Sequence, residues 1–374
     1  MATADGLIDS GHQEWLAREA RQTAAGDRRE LGRQACIDAA ASTWSNVHGH
    51  RHPAVDAAIH AQLQSTVLDT PGGFDQPAAE LAGRLAAIAP VGLTRVIYDA
   101  TGPAAVERAV GLARGACERS DRQRTRIVRP TEGDDHDLNA RLDGEGDRVA
   151  ALVIEPLIRA ADRMRLQAPG HLRRARELCD RHGALLICDE RATAFGRTGA
   201  MFACEHEGVT PDLLCVAGGL TGHGLQLAAT LTRAPIDECI DPEPAPDPVA
   251  CAAAIATLEA FEREHTLALL APKIELLAAL LERRVAVLPG VAEVRQLGMM
   301  VGIELLAPDH DPTRQAVLAA RRRGAAIGSC GDVIVLTPAL AITEQDLRRL
   351  VAITASSIAE AYIGRLPGAR RHSS

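Results

Sequence analysis

From about residue 50 to residue 235 the chain alternates short, wholly apolar runs with longer segments in which apolar positions recur every three or four residues. The runs at Arg95–Tyr98, Arg126–Arg129, Ala150–Ile154, Ala184–Cys188, Leu213–Val216 and Leu227–Leu231 read as strands buried on both faces. Between them, Ala104–Arg119 and His171–His182 carry helical spacing, the second opening after Pro169-Gly170. Strands separated by helices predict a doubly wound α/β layer with a mostly parallel sheet. A helical arm over residues 11–35 precedes it. In Asp241-Pro-Glu-Pro-Ala-Pro-Asp-Pro248 proline stands at alternate positions, which rules out helix and central strand and predicts an extended connector. Beyond it Val249–Glu264 and His265–Val287 have helical periodicity. Short strands follow at Val291–Gln296, Met300–Glu304 and Val333–Thr337, with a closing helix from Thr343. The expected division is an N-terminal arm (1–45) belonging with the smaller domain, a large α/β domain (46–240) and a C-terminal small α+β domain (241–374).

Composition narrows the function classes. The 374 residues are 47% hydrophobic, enough for a sizeable core. The net charge of −8 and only eight aromatic residues argue against a nucleic-acid surface. No apolar stretch is long enough to cross a bilayer, and the opening segment has no signal-like apolar region, so a cytoplasmic protein with no membrane partner is expected. Nine cysteines lie scattered without CxxC spacing and read as reduced core residues. His48-Gly-His50-Arg-His52 has the residue type of a zinc site, and the run Asp134-Asp135-His136-Asp137 could meet a cation but lacks calcium-loop spacing; no metal is expected at either.

Several spaced blocks carry a resemblance. Trp44, HGHRHPAVDAAI (48–59), Glu155-Pro156, LCDRHGALLICDERATAFGRTGAMFACEHEGVTPDLLC (178–215) and LTG (220–222) occur in one order. From Ser42 to about Glu360 the chain resembles the class III, fold type I, aminotransferases, most closely the diaminopelargonic acid aminotransferases. The resemblance implies the fold type I architecture, a homodimer, and a pyridoxal-phosphate site in which Asp189 pairs with the protonated ring nitrogen. It also implies a lysine just before the LTG turn. Here Val216-Ala217-Gly218-Gly219-Leu220-Thr221-Gly222-His223 puts Gly218 at that place, and Lys273 is the single lysine of the chain. Arginine is no substitute, because its guanidinium stays protonated and is a poor nucleophile. Thr101-Gly102-Pro103 replaces a phosphate-cradling turn, Pro103 lacking an N–H. An acidic loop after Arg129 replaces a stacking segment, and Pro242-Glu243 aligns with a family Pro-Thr. Gly328-Ser329-Cys330-Gly331-Asp332 lacks a carboxylate-binding arginine of the family, whereas Arg159, Arg163 and Arg191 add charge.

These departures lead to an expectation of a pseudoenzyme-like scaffold whose pocket is reused, without a cofactor, for acid–base chemistry on a small molecule, such as cyclisation, dehydration or condensation in specialised metabolism. Asp189, His223 and Arg191 are its candidate catalytic groups, and Trp44, Arg159 and Gly218 its candidate substrate pocket. If a pyridoxal species is retained, Thr101, Gly102 and Asp189 are the candidate cofactor residues. Two alternatives stand beside it. One is a silent homologue acting as a scaffold or as heteromeric partner of an active aminotransferase; the other is a residual transaminase or pyridoxal-phosphate or pyridoxamine-phosphate enzyme working without lysine.

Overall fold

The computed structural model describes residues 36–41, 44–65, 76–120, 124–130, 138–222, 224–234, 236, 246–306 and 311–363. The N-terminal arm (11–35), His223, Cys239, and the connector from 241 to 245 with its Pro242-Glu243 pair lie outside these residues. In chain order the strands are β1 (Ile37–Asp38), β2 (Arg95–Asp99), β3 (Arg126–Val128), β4 (Val149–Ile154), β5 (Ile158–Arg159), β6 (Arg165–Leu166) and β7 (Leu185–Asp189). They continue as β8 (Leu213–Val216), β9 (Ala228–Thr232), β10 (Val291–Leu297), β11 (Met300–Leu305), β12 (Ala325–Ala326), β13 (Gly328–Cys330) and β14 (Val333–Leu336).

Six strands form the central sheet in the order β2-β9-β8-β7-β4-β3. The neighbours from β3 to β8 run parallel, and β9 runs against both β8 and β2. Its four inner strands, β4, β7, β8 and β9, bury both faces, as continuous apolar runs require, while the edge strands β2 and β3 are partly exposed. Ala151, Val153, Ile187, Leu213 and Cys215 pack with Val106, Ala109, Val110 and Ala113 of the helix Gly102–Arg119 on one side. Alternate residues Leu152, Ile154, Leu186, Cys188, Leu214 and Val216 pack on the other with Leu172, Ala175 and Leu178 of the helix His171–His182. The doubly wound α/β layer is therefore present.

A second, antiparallel sheet has the order β10-β11-β14-β13. The helices Pro312–Arg322 and Glu344–Ala361 pack together and against β12, the former also meeting the β13–β14 side of this sheet; the latter is capped by the Thr343 hydroxyl accepting from the Asp346 N–H at 3.0 Å. β1 pairs in parallel with β12, so the first described residues are stitched to a segment nearly three hundred residues later. The helix Pro248–Arg263 packs on Pro53–Ser65 and Gln76–Ile88, two helices whose bounds the periodicity leaves open.

Three details differ from the sequence reading. Residues 138–145 are a helix within the stretch read as an acidic loop, with Leu138 and Leu142 buried on one side four residues apart. The helix after β2 starts at Gly102 and takes Pro103 into its first turn, where a missing N–H costs no intrahelical bond. Helix His265–Val287 is shorter than its periodicity, spanning Leu270–Arg284. Among the described residues no helix is long and apolar enough to cross a membrane. The eight described cysteines are free thiols, six of them buried.

Candidate active site at the carboxyl ends of the parallel strands

In a doubly wound sheet the loops beyond the carboxyl ends of the parallel strands enclose the ligand crevice. β7 delivers Asp189 there as its last residue, 7% exposed. Arg191, two residues on, turns back over it. Its Nε donates to Asp189 Oδ1 at 2.7 Å and a terminal nitrogen donates to Oδ2 at 2.6 Å, a bidentate fork, while its backbone N–H reaches Oδ1 at 3.3 Å. Burial pulls the Arg191 pKa down, but the charges of Asp189 and Glu155 outweigh it and hold the guanidinium cationic.

Glu155 follows β4, the strand beside β7, and belongs to the same cluster. Its Oε2 accepts the Ala160 N–H at 2.9 Å. Burial first, and the Asp189 charge second, push its pKa up to about 7, against the opposing pull of that N–H, Arg191 and Arg159. Glu155 thus holds a proton through part of the neutral range. The sequence reading used it only to support the resemblance, because its nearness to Asp189 depends on the pairing of β4 with β7. Glu190, fully buried, is a different matter: it accepts the N–H groups of Ala203 at 2.6 Å and Cys204 at 2.8 Å. It clamps the loop beneath the site.

Gly218 lies just past β8 with φ +48°, and a Cβ there would fall 2.7 Å from the Arg191 carbonyl oxygen and 3.7 Å from that of Trp44. No side chain fits at 218 without movement of the Arg191 backbone. At Gly102 a Cβ would meet the Arg191 Cδ at 2.6 Å and the Ala217 Cβ at 3.1 Å, so the Arg191 stem lies across the start of that helix. There the Thr101 hydroxyl accepts the Ala104 N–H at 3.3 Å. Asp189, Arg191, Gly218, Gly102 and the Trp44 backbone are accordingly one group. The Trp44 side chain packs against the buried cluster of Ile158, Ala160, Met164, Met300, Val333 and Val335. Arg159 pairs with Asp162 at 3.3 Å and reaches the group through its field on Glu155. Arg163 turns away to Asp332, 3.2 Å off.

The other candidates disperse. His48 Nε2 donates to the Thr257 carbonyl at 3.1 Å, whereas His50 pairs with Asp38 and His52 with Glu264, each at 2.8 Å. Lys273 donates its amine to the Leu340 carbonyl oxygen at 2.8 Å, on the helix Leu270–Arg284. A polar groove of about 1120 Å³ lined by Arg173, Arg174, Glu177, Arg181 and Arg295 shares no residue with the Asp189 group. Sequence reasoning missed Arg197, 1% exposed, which donates to the carbonyls of Pro338 at 2.7 Å, Trp44 at 2.9 Å, Asn46 at 3.2 Å and Thr337 at 3.3 Å.

For a pyridoxal-phosphate group the residues fit at two points. Asp189 offers a shielded carboxylate for the ring nitrogen, and the Thr101-Gly102 turn offers a helix start for the phosphate. No amine stands at Gly218.

The chain matches the family profile described as Aminotransferase class-III over residues 29–133 and 134–358. It is 39% identical to the adenosylmethionine-8-amino-7-oxononanoate aminotransferase of Nitratidesulfovibrio vulgaris, covering 84% of this chain and 72% of that one. The enzyme of the same name from Geobacter sulfurreducens is 33% identical, with 84% and 86% covered. Among solved structures, the enzyme of that name from Methanocaldococcus jannaschii superposes with a TM-score of 0.82 at 26% identity, over 93% of this chain and 99% of that one. The architecture is that of the fold type I aminotransferases. Two expectations are corrected by these matches. An acid–base enzyme, silent scaffold or merely residual transaminase does not stand, because the agreement spans nearly the whole chain and its relatives are ordinary aminotransferases. A cofactor-free pocket does not stand either, because class III aminotransferases depend on pyridoxal phosphate. The error lay in letting one position and a few loops outweigh the carboxylate that β7 still presents.

Proposed function

We propose, because this chain belongs to the class III aminotransferase family, that it is a pyridoxal-phosphate aminotransferase acting on a small-molecule amine and ketone of the kind named in its relatives, adenosylmethionine and 8-amino-7-oxononanoate. The observation that carries the reading is the Asp189 carboxylate, buried at the end of β7 within the Glu155, Arg191 and Gly218 cluster. When bound, the cofactor supplies an electron-withdrawing pyridinium beside the carbon that gains or loses the amino group, and a carboxylate at the ring nitrogen keeps it protonated.

The chain's own residues have distinct tasks in this reading. Asp189 orients the ring, the Thr101-Gly102 helix start receives the phosphate, and the Trp44 segment closes one wall. Glu155 holds its proton on Oε1, since Oε2 already accepts the Ala160 N–H. Lys273, on the helix Leu270–Arg284, donates its amine to the Leu340 carbonyl oxygen. A homodimer in the cytoplasm completes the reading, supported by the resemblance and by eight described cysteines that are all free.

The test is amino transfer from adenosylmethionine to 8-amino-7-oxononanoate by purified full-length protein with added pyridoxal phosphate, product being read by mass spectrometry. Transfer is expected for the wild type, with loss on Asp189→Asn. Absence of transfer from any amine donor, with cofactor bound, would overturn the activity.

A further inference from the structure

Asp189 is the residue on which the proposed cofactor site depends, and both of its oxygens are taken. The Arg191 fork spans them at 2.7 and 2.6 Å. A pyridinium N–H needs one of the same lone pairs and carries the same sign of charge, so guanidinium and ring compete for one carboxylate. The Arg191 side chain is also the outer member of the pair, 30% exposed against 9% for Asp189. Its Cγ and Cδ lie over Gly102, which Ala217 borders. It is therefore a long, flexible side chain laid over small residues, with solvent on one side to swing into.

We propose that Arg191 gates the cofactor position: its bidentate hold on Asp189 closes the site, and pyridoxal phosphate enters only when the guanidinium swings away. This rests on the reading that Asp189 receives the ring nitrogen. A gate that is mostly closed lowers apparent affinity by the fraction of molecules open, so its removal raises affinity by the inverse of that fraction.

The experiment measures the dissociation constant for pyridoxal phosphate by equilibrium dialysis with full-length wild type, Arg191→Val, Arg191→Gln and Asp189→Asn, each checked by its melting temperature. Arg191→Val leaves a buried carboxylate without its partner, and Arg191→Gln keeps a neutral hydrogen-bond donor should the valine variant fail to fold. Both arginine variants are expected to bind about tenfold or more tightly than wild type, and Asp189→Asn to bind weakly. Arginine variants that bind no tighter than wild type, while Asp189→Asn loses affinity, would overturn the gate and leave the cofactor site standing. Wild-type affinity in Asp189→Asn, or no binding by any of the four proteins, would overturn both.

Discussion

His48 is 5% exposed, lies 4.5 Å from the Phe261 ring centroid, and holds the Thr257 carbonyl at 3.1 Å. A carbonyl only accepts, so the proton of the neutral ring sits on Nε2. Burial and the neighbouring His52 lower its pKa to about 4 from 6.5. A depressed histidine pKa means the unfolded chain binds the proton first. The contribution of neutral His48 is then complete above pH 6.5 and is lost as pH falls toward 4. At about 1.4 kcal/mol per unit the loss is on the order of 3 kcal/mol. His48→Gln keeps a donor for Thr257 and does not titrate. The stability advantage of wild type over His48→Gln, taken from urea unfolding, is expected to shrink by that order between pH 6.5 and 4. A constant difference across the range would show that His48 is not buried neutral.

At the level of elements, the turn after β7 depends on Glu190 as much as on Asp189. Its carboxylate gathers the Ala203 and Cys204 N–H groups that open the 203–207 turn of helix, and the Thr193 hydroxyl at 3.3 Å. Burial raises its pKa to about 7 even against those donors. Glu190→Ala orphans two buried N–H groups, at about 1–3 kcal/mol each. A drop of that size in unfolding free energy is expected, with early hydrogen exchange at residues 203 and 204; unchanged protection there would refute the clamp. The elements themselves were largely legible. His171–His182 has the bounds its periodicity and the preceding Pro169-Gly170 predict, and the strands of the central sheet sit where apolar runs mark them. What escaped were partnerships. Arg191 and Asp189 meet because the chain curls after β7, whereas extended backbone would send residues two apart to the same face without folding one over the other. Glu155 became part of the site only through sheet order.

Across the whole molecule the parts are joined by one buried cation. Arg197 reaches Trp44 and Asn46 at one end of the chain and Thr337 and Pro338 near the other, all through carbonyl oxygens. Burial lowers its pKa to about 10, offset in part by the Asp38 charge. Backbone acceptors have no residue-type signature, which is why this hub was invisible in the sequence. Arg197→Met would leave four carbonyls facing an apolar chain, and a charge-assisted hydrogen bond is worth about 1.5–3 kcal/mol. The variant is expected to lose at least about 3 kcal/mol by urea unfolding, and a smaller loss would deny Arg197 its joining role. The same connection sets a timetable for biosynthesis. Ile37 and Asp38 find their β12 partners, and Arg197 its last acceptors, only after residues 325–338 have left the ribosome. The wall of the crevice nearest the start of the polypeptide is therefore among the last pieces to set, and a nascent chain stalled before residue 325 would display it unfinished.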